Sequence, residues 1–237
     1  MKKILLISVL AVLAAGFSSC RKIVGEGPVV TELRNTANFN AISSGLPGEV
    51  IFTESNTYKI EIQAQQNIID VIETAVSGNE LRLWIRNNTN IRSHEHIRIL
   101  ISAPTVNAFA LSGSGDLKIP EPFIVDNIRF TVSGSGKIIS SMLNTNKINA
   151  TISGSGDIQL FNGSSNSADL TVSGSGLVDM LGVSTKTVST NTSGSGTMKL
   201  QVSDQLTARI SGSGKVYYQG NPTINSIISS SGRVVKL

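Results

Sequence analysis

The sequence predicts an all-β fold, a parallel β-helix with coils of about 20 residues, entered through less regular strands. Three observations carry that expectation. The first is a repeat: Ser-Gly-Ser-Gly begins at Ser112, Ser133, Ser153, Ser173, Ser193 and Ser211, and a worn copy, Ser-Ser-Ser-Gly, begins at Ser229. Successive copies are 21, 20, 20, 20, 18 and 18 residues apart, a period that marks stacked supersecondary units. The second is a set of apolar columns in fixed phase with the repeat. Leu111, Val132, Ile152, Val172, Thr192, Ile210 and Ile228 precede the motif, and Phe109, Phe130, Ala150, Leu170, Thr190, Ala208 and Ser226 stand two places earlier. Leu117, Ile138, Ile158, Val178, Met198, Val216 and Val234 follow six places after the first column. All three share one parity, and same-parity side chains of a strand share a face. A flexible Gly/Ser linker would preserve no such phase. The third is composition: 40% of residues are hydrophobic but only 15% are charged, against about 25% in ordinary soluble domains. In-register stacking explains the deficit, because like charges one above another repel while Ser and Asn ladders hydrogen-bond. The position after the motif fits, reading Asp116, Lys137, Asp157, Leu177, Thr197, Lys215, Arg233.

In chain order, residues 1–19 read as a lipoprotein signal peptide. Lys2 and Lys3 form its charged end, Ile4 to Phe17 its apolar run, and small residues follow. The run is shorter than the ~20 residues a spanning helix needs. It closes on Cys20, the chain's only cysteine, behind a loose lipobox, Phe-Ser-Ser-Cys. Similarity to bacterial lipoprotein signals implies a diacylglyceryl thioether on Cys20, cleavage before it, and acylation of the new N-terminus. The competing expectation is an ordinary secreted protein with a stray thiol. Arg21 replaces the Asp that usually signals inner-membrane retention, so the expected location is the outer membrane, periplasmic or surface-exposed. Several acyl chains together would hold the protein there stably.

Residues 20–28 read as a lipidated tether, and 29–237 as one β-helical domain, irregular over 29–105 and regular over 106–237. Within the irregular part, Tyr58, Ile60, Ile62 and Ala64 alternate with polar residues, as do Leu81, Leu83 and Ile85, and Ile97, Ile99 and Ile101. Each set marks a half-buried strand. The stretch from Gln65 to Asn79 reads as extended or mixed, with a turn at Ser77-Gly78-Asn79. In the regular part, an extended motif would put both glycines on the apolar face. Ser112, Ser114, Ser133, Ser135, Ser153, Ser155, Ser173, Ser175, Ser193, Ser195, Ser211 and Ser213 would then form an outward hydroxyl ladder, the candidate ligand-contact surface. A bend at the motif would break parity and turn that ladder inward. Seven copies stacked ~4.8 Å apart extend roughly 30 Å.

The repeated motif from Ser112 to Gly232, the segment Phe39–Glu54 and the strand ending at Pro104 resemble the putative auto-transporter adhesin, head GIN domain family. The resemblance covers about Ala37 to the end. It implies a right-handed β-helix on an exported envelope protein and offers no catalytic residues to carry over.

Chemistry-bearing constellations are sparse. His94 and His96 are the only histidines; on a strand they would share a face, but Arg92 and Arg98 flank them and a third ligand is missing. Asp follows the motif only at Asp116 and Asp157, unlike the regular Asp of calcium-binding β-rolls, so no metal and no cofactor is expected. β-Helical lyases and hydrolases need clustered carboxylates and aromatic platforms. Here Asp116, Glu121, Asp126, Asp157, Asp169, Asp179 and Asp204 do not recur between neighbouring copies. Net charge is +4, falling to +2 once Lys2 and Lys3 are removed, and no basic patch is interleaved with aromatics, which argues against nucleic acid. The expected role is therefore a non-enzymatic, adhesin-like envelope protein that binds a glycan or a surface protein. The alternatives are a carbohydrate-active β-helix and a purely structural spacer. A C-terminal coil end with unpaired strand edges adds an expectation of self-association there.

Overall fold

Within one coil the buried residues are Ile138 and Ser140, then Leu143, then Ile148, Ala150 and Ile152. The inward parity switches twice, from even to odd and back, and an unbroken strand cannot do that. The chain therefore turns near residues 141–142 and again near 146. The Ser-Gly motif supplies the third turn, so each coil has three short faces around an apolar interior. The computed structural model, which describes residues 21–237, shows these coils stacked in parallel as a β-solenoid.

Its strands are β1 (Arg21–Val24), β2 (Val29–Arg34), β3 (Ala41–Ser44), β4 (Glu49–Glu54), β5 (Lys59–Gln65), β6 (Ile72–Ser77), β7 (Glu80–Ile85), β8 (Thr89–Ser93), β9 (Arg98–Ala103) and β10 (Ala108–Leu111). There follow β11 (Asp116–Gly134), β12 (Lys137–Gly154), β13 (Asp157–Leu160), β14 (Gly163–Gly174), β15 (Leu177–Gly194), β16 (Thr197–Gly212), β17 (Lys215–Gln219), β18 (Thr223–Ile228) and β19 (Arg233–Lys236). One short helix, α1 (Gln66–Ile69), follows β5. From β10 onward every pairing is parallel and one coil apart, for example Ile138 with Ile158, Val172 with Thr192, and Thr192 with Ile210. The three apolar columns are buried through most of the stack. In two of them Thr190 and Thr192 intrude, and their hydroxyls, like that of Ser140, are buried without a hydrogen-bond partner. Opposite charges meet between adjacent coils, Lys137 with Asp157 at 3.6 Å and Lys199 with Asp179 at 3.3 Å. Such exposed pairs contribute a fraction of a kcal/mol each, roughly 0.2–1.

The stretch 29–105 divides into coils and a cap. β3 pairs in parallel with both β7 and β10, and β4 with both β9 and β11. Residues 41–54 thus form a coil inserted between those of 80–103 and 108–119, although they come first in the chain. The chain lays down the inner coil, moves outward, and returns past it. Beyond this, reversed strands close the end: β5 pairs antiparallel with β9 and with β2, and β6 antiparallel with β7. Ile68 and Ile69 of α1 are buried there. The segment expected as a tether contributes a strand, β1, paired in parallel with β8. At the opposite end β18 is exposed along its length, with Ile224, Ile227 and Ile228 open to solvent.

Candidate binding surface

The Ser-Gly corner is built by two glycine columns with different tasks. Gly174, the first glycine of its copy, has φ +128°, and a Cβ there would lie 2.3 Å from the Gly154 carbonyl oxygen of the coil before. The chain bends at this residue, and only glycine accepts both the conformation and the approach. Gly176, the second, is buried; a Cβ would meet the Gly156 carbonyl at 2.5 Å and the Ile152 side chain at 2.6 Å. The pre-motif aliphatic of one coil thus leans into the gap left by the second glycine of the next. Bend and parity coexist: Ile152, Gly156 and Ile158 are buried with Gly154 half-buried between them, and the serines between remain outside.

All twelve ladder serines, Ser112 to Ser213, are exposed, as are Ser229 and Ser231 of the worn copy. The backbone beneath them is fixed. The amides of Ser135, Ser155, Ser175 and Ser195 donate to the carbonyls of Gly113, Gly134, Gly154 and Gly174 in the coil before, at 2.9–3.0 Å. Among the described residues only Ser213 and Ser231 bring motif hydroxyls within bonding distance of each other, at 3.1 Å. Ser229 Oγ donates to the Ile210 carbonyl at 3.4 Å, and the other motif hydroxyls face solvent on a rigid rail, with both donor and acceptor capacity unspent.

A second polar surface was not anticipated. A shallow groove of about 630 Å³ runs over the short face between the other two corners, lined by Asn144, Ser164 and Ser184 with Asp126, Asn146, Asn166 and Lys186 along one side. The amides bond to one another: Asn166 Nδ2 donates to Asn146 Oδ1 at 2.8 Å, and Asn146 Nδ2 donates to Asp126 Oδ1. Ser164 Oγ donates to Asn144 Oδ1 at 2.9 Å. The 20-residue spacing of Asp126, Asn146, Asn166 and Lys186 was the available signal. Because these groups turn much of their bonding capacity onto each other, the ladder acts first as a staple between coils.

The titratable residues are dispersed. His94 and His96 lie in the loop between β8 and β9, with His94 Nδ1 2.5 Å from the Glu95 carbonyl and His96 3.7 Å from Glu49. Glu49 is also bonded by Lys118 and by Arg98 at 2.9 Å. The Lys118 hydrogen bond, aided by Arg98 and opposed by partial burial, holds its carboxyl below the ordinary value. Among the described residues no three His, Cys, Asp or Glu side chains gather as a metal site, and no helix is long and apolar enough to cross a membrane. Cys20 lies outside the described residues.

Comparison with known proteins agrees with this architecture. A putative adhesin from Bacteroides fragilis is 26% identical, superposes with a TM-score of 0.82, and the match covers 90% of this chain and 98% of that one. A putative lipid binding protein from Parabacteroides distasonis (21% identity, TM-score 0.75, 92% and 100% covered) shares the fold. So does a putative adhesin from Parabacteroides merdae (19% identity, TM-score 0.69, 92% and 99% covered). No curated protein matches. The family model of the putative auto-transporter adhesin, head GIN domain matches residues 38–222, most of the chain, and the protein belongs to that family.

Proposed function

We propose that this protein is a lipid-anchored adhesin of the cell envelope that works without catalysis, recognising a glycan or a surface protein through the serine corner. The observation that carries this reading is the rigid rail of solvent-facing hydroxyls, repeated once per coil. Such a surface offers many weak, geometrically regular hydrogen bonds and no charge of its own, which suits a neutral repetitive partner better than an ion. The family description and the adhesin names of two neighbours point the same way. Cys20 would carry the anchor.

The test replaces Ser135, Ser155 and Ser175 together by Lys on cells carrying the full chain. The side chains already face solvent, so circular dichroism should stay unchanged, and Tm should fall only modestly from repulsion between the stacked charges. Binding to envelope glycan or host surface should fall at least tenfold, since stacked ammonium groups deny the ligand its hydroxyl contacts and repel one another. Added protease should digest the domain on intact cells. Unchanged binding removes the serine corner from the account, and full protection from protease contradicts a surface adhesin.

A further inference from the structure

The column of first-motif serines does not stop at Ser112. Ser112 N donates to the Ser44 carbonyl at 2.8 Å, and Gly45 N to the Leu83 carbonyl at 2.9 Å. With Leu111 level with Ser44, and Ser44 level with Leu83, the next residues stack in the order Trp84, Gly45, Ser112. The serine column therefore begins with the chain's single tryptophan, separated from the first hydroxyl by a residue with no side chain. That gap is open: a cleft of about 310 Å³ is lined by Ser43, Gly45, Arg82, Leu83, Trp84 and Ser112.

We propose that this cleft is a subsite for one neutral sugar ring, the point at which a glycan lying along the serine rail is anchored. The inference rests on the adhesin reading above and adds its ligand class and position. Trp84 is half-buried and outward-facing, so its indole offers a fixed apolar platform. Trp84 and Ser112 are two coil steps apart, roughly 10 Å. An aromatic surface at one end and hydroxyls at the other match a pyranose, which has C–H faces and an equatorial belt of hydroxyls. The volume lies at the small end of ligand pockets, about 300–1,000 Å³. Arg82 Nε is paired with Glu80 at 2.8 Å, so the site's one cation is neutralised and an acidic sugar gains little from it.

The chain's single tryptophan makes the test specific, because indole emission, excited selectively over tyrosine, reports this cleft alone. Full-length protein in detergent is titrated with neutral hexasaccharides of gluco, manno and galacto configuration, with hexagalacturonate as the acidic comparison, by fluorescence and calorimetry. One neutral class should shift the emission saturably. Trp84→Ala should weaken its binding about tenfold, while Trp84→Phe retains much of it. Gly45→Val, which fills the gap beside Ser112 Oγ, should block binding with Trp84 still present. Surface binding sensitive to the triple serine substitution, without any emission change or Trp84 dependence, overturns the subsite and leaves the adhesin reading standing. A response only to hexagalacturonate overturns the ligand class, and absence of binding to every saccharide and every surface sinks both readings.

Discussion

Gly174→Val should destabilise the protein by about 4 kcal/mol, lowering Tm by roughly 10 °C. Two costs add. At φ +128° a β-branched residue occupies a conformation it rarely adopts, worth about 1–3 kcal/mol. The new Cβ would also sit 2.3 Å from the Gly154 carbonyl oxygen, so adjacent coils must separate. Their spacing is set by backbone hydrogen bonds on all three faces, and overpacking there costs about 1–3 kcal/mol more. Gly78→Ala is the control. Gly78 has φ +57° in a turn, and a Cβ added there would meet nothing within 4 Å, so that substitution carries only the conformational cost of about 1 kcal/mol. Denaturant midpoints for the two variants measure the difference directly. Equal losses would mean that the glycine column is not compressed between coils.

Phe109→Ala should cost about 3–5 kcal/mol. Phe109 is 1% exposed and touches three other rings: Phe52 edge-on at 5.3 Å, Phe123 edge-on at 6.2 Å and Phe130 stacked at 5.9 Å. Phe52 belongs to the inserted coil of 41–54, and Phe123 and Phe130 to β11, so this cluster joins the front coils to the regular stack. The rigid β-frame cannot collapse onto the cavity, which places the loss at the upper end of the range. Ile124→Ala, at a position 72% exposed beside Phe123, should change stability by no more than about 0.5 kcal/mol. A loss below about 1 kcal/mol for Phe109→Ala would show that the junction is held by something other than its aromatic core.

The regular coils were legible because their information is local and repeated. Val132, Ile152 and Val172 recur in one phase, and that phase alone puts the serines outside. The bend at the first glycine was not legible. Parity assigned both glycines to the inner face, whereas Gly174 points its missing Cβ along the stack toward Gly154, a direction that two-sided strand reasoning does not contain. The front coils stayed hidden for another reason. Gly45-Leu46-Pro47-Gly48 is the motif's counterpart there, since Ser44 pairs with Leu111 and Glu49 with Asp116 on either side of it. Leu46 and Pro47 stand where the motif has Gly113 and Ser114, so the stretch no longer reads as Ser-Gly-Ser-Gly. The order of coils also runs against the order of residues, so Trp84 reaches the head of the serine column only through pairings between distant segments. The groove along Asp126, Asn146 and Asn166 likewise exists only once the coils are stacked, although its spacing was visible.

In-register stacking of the serine corners is tested most directly by disulfide trapping in a Cys20→Ser background. Ser153 and Ser173 are paired across adjacent coils, where Cα atoms lie at about the 4.4–6.8 Å a disulfide spans, while Ser193 stands one coil further on. Ser153→Cys with Ser173→Cys should oxidise to an intramolecular disulfide, detected by peptide mass, and Ser153→Cys with Ser193→Cys should not. Equal trapping of both pairs, or trapping of the distant pair alone, would contradict the stack on which the fold and the binding surface depend.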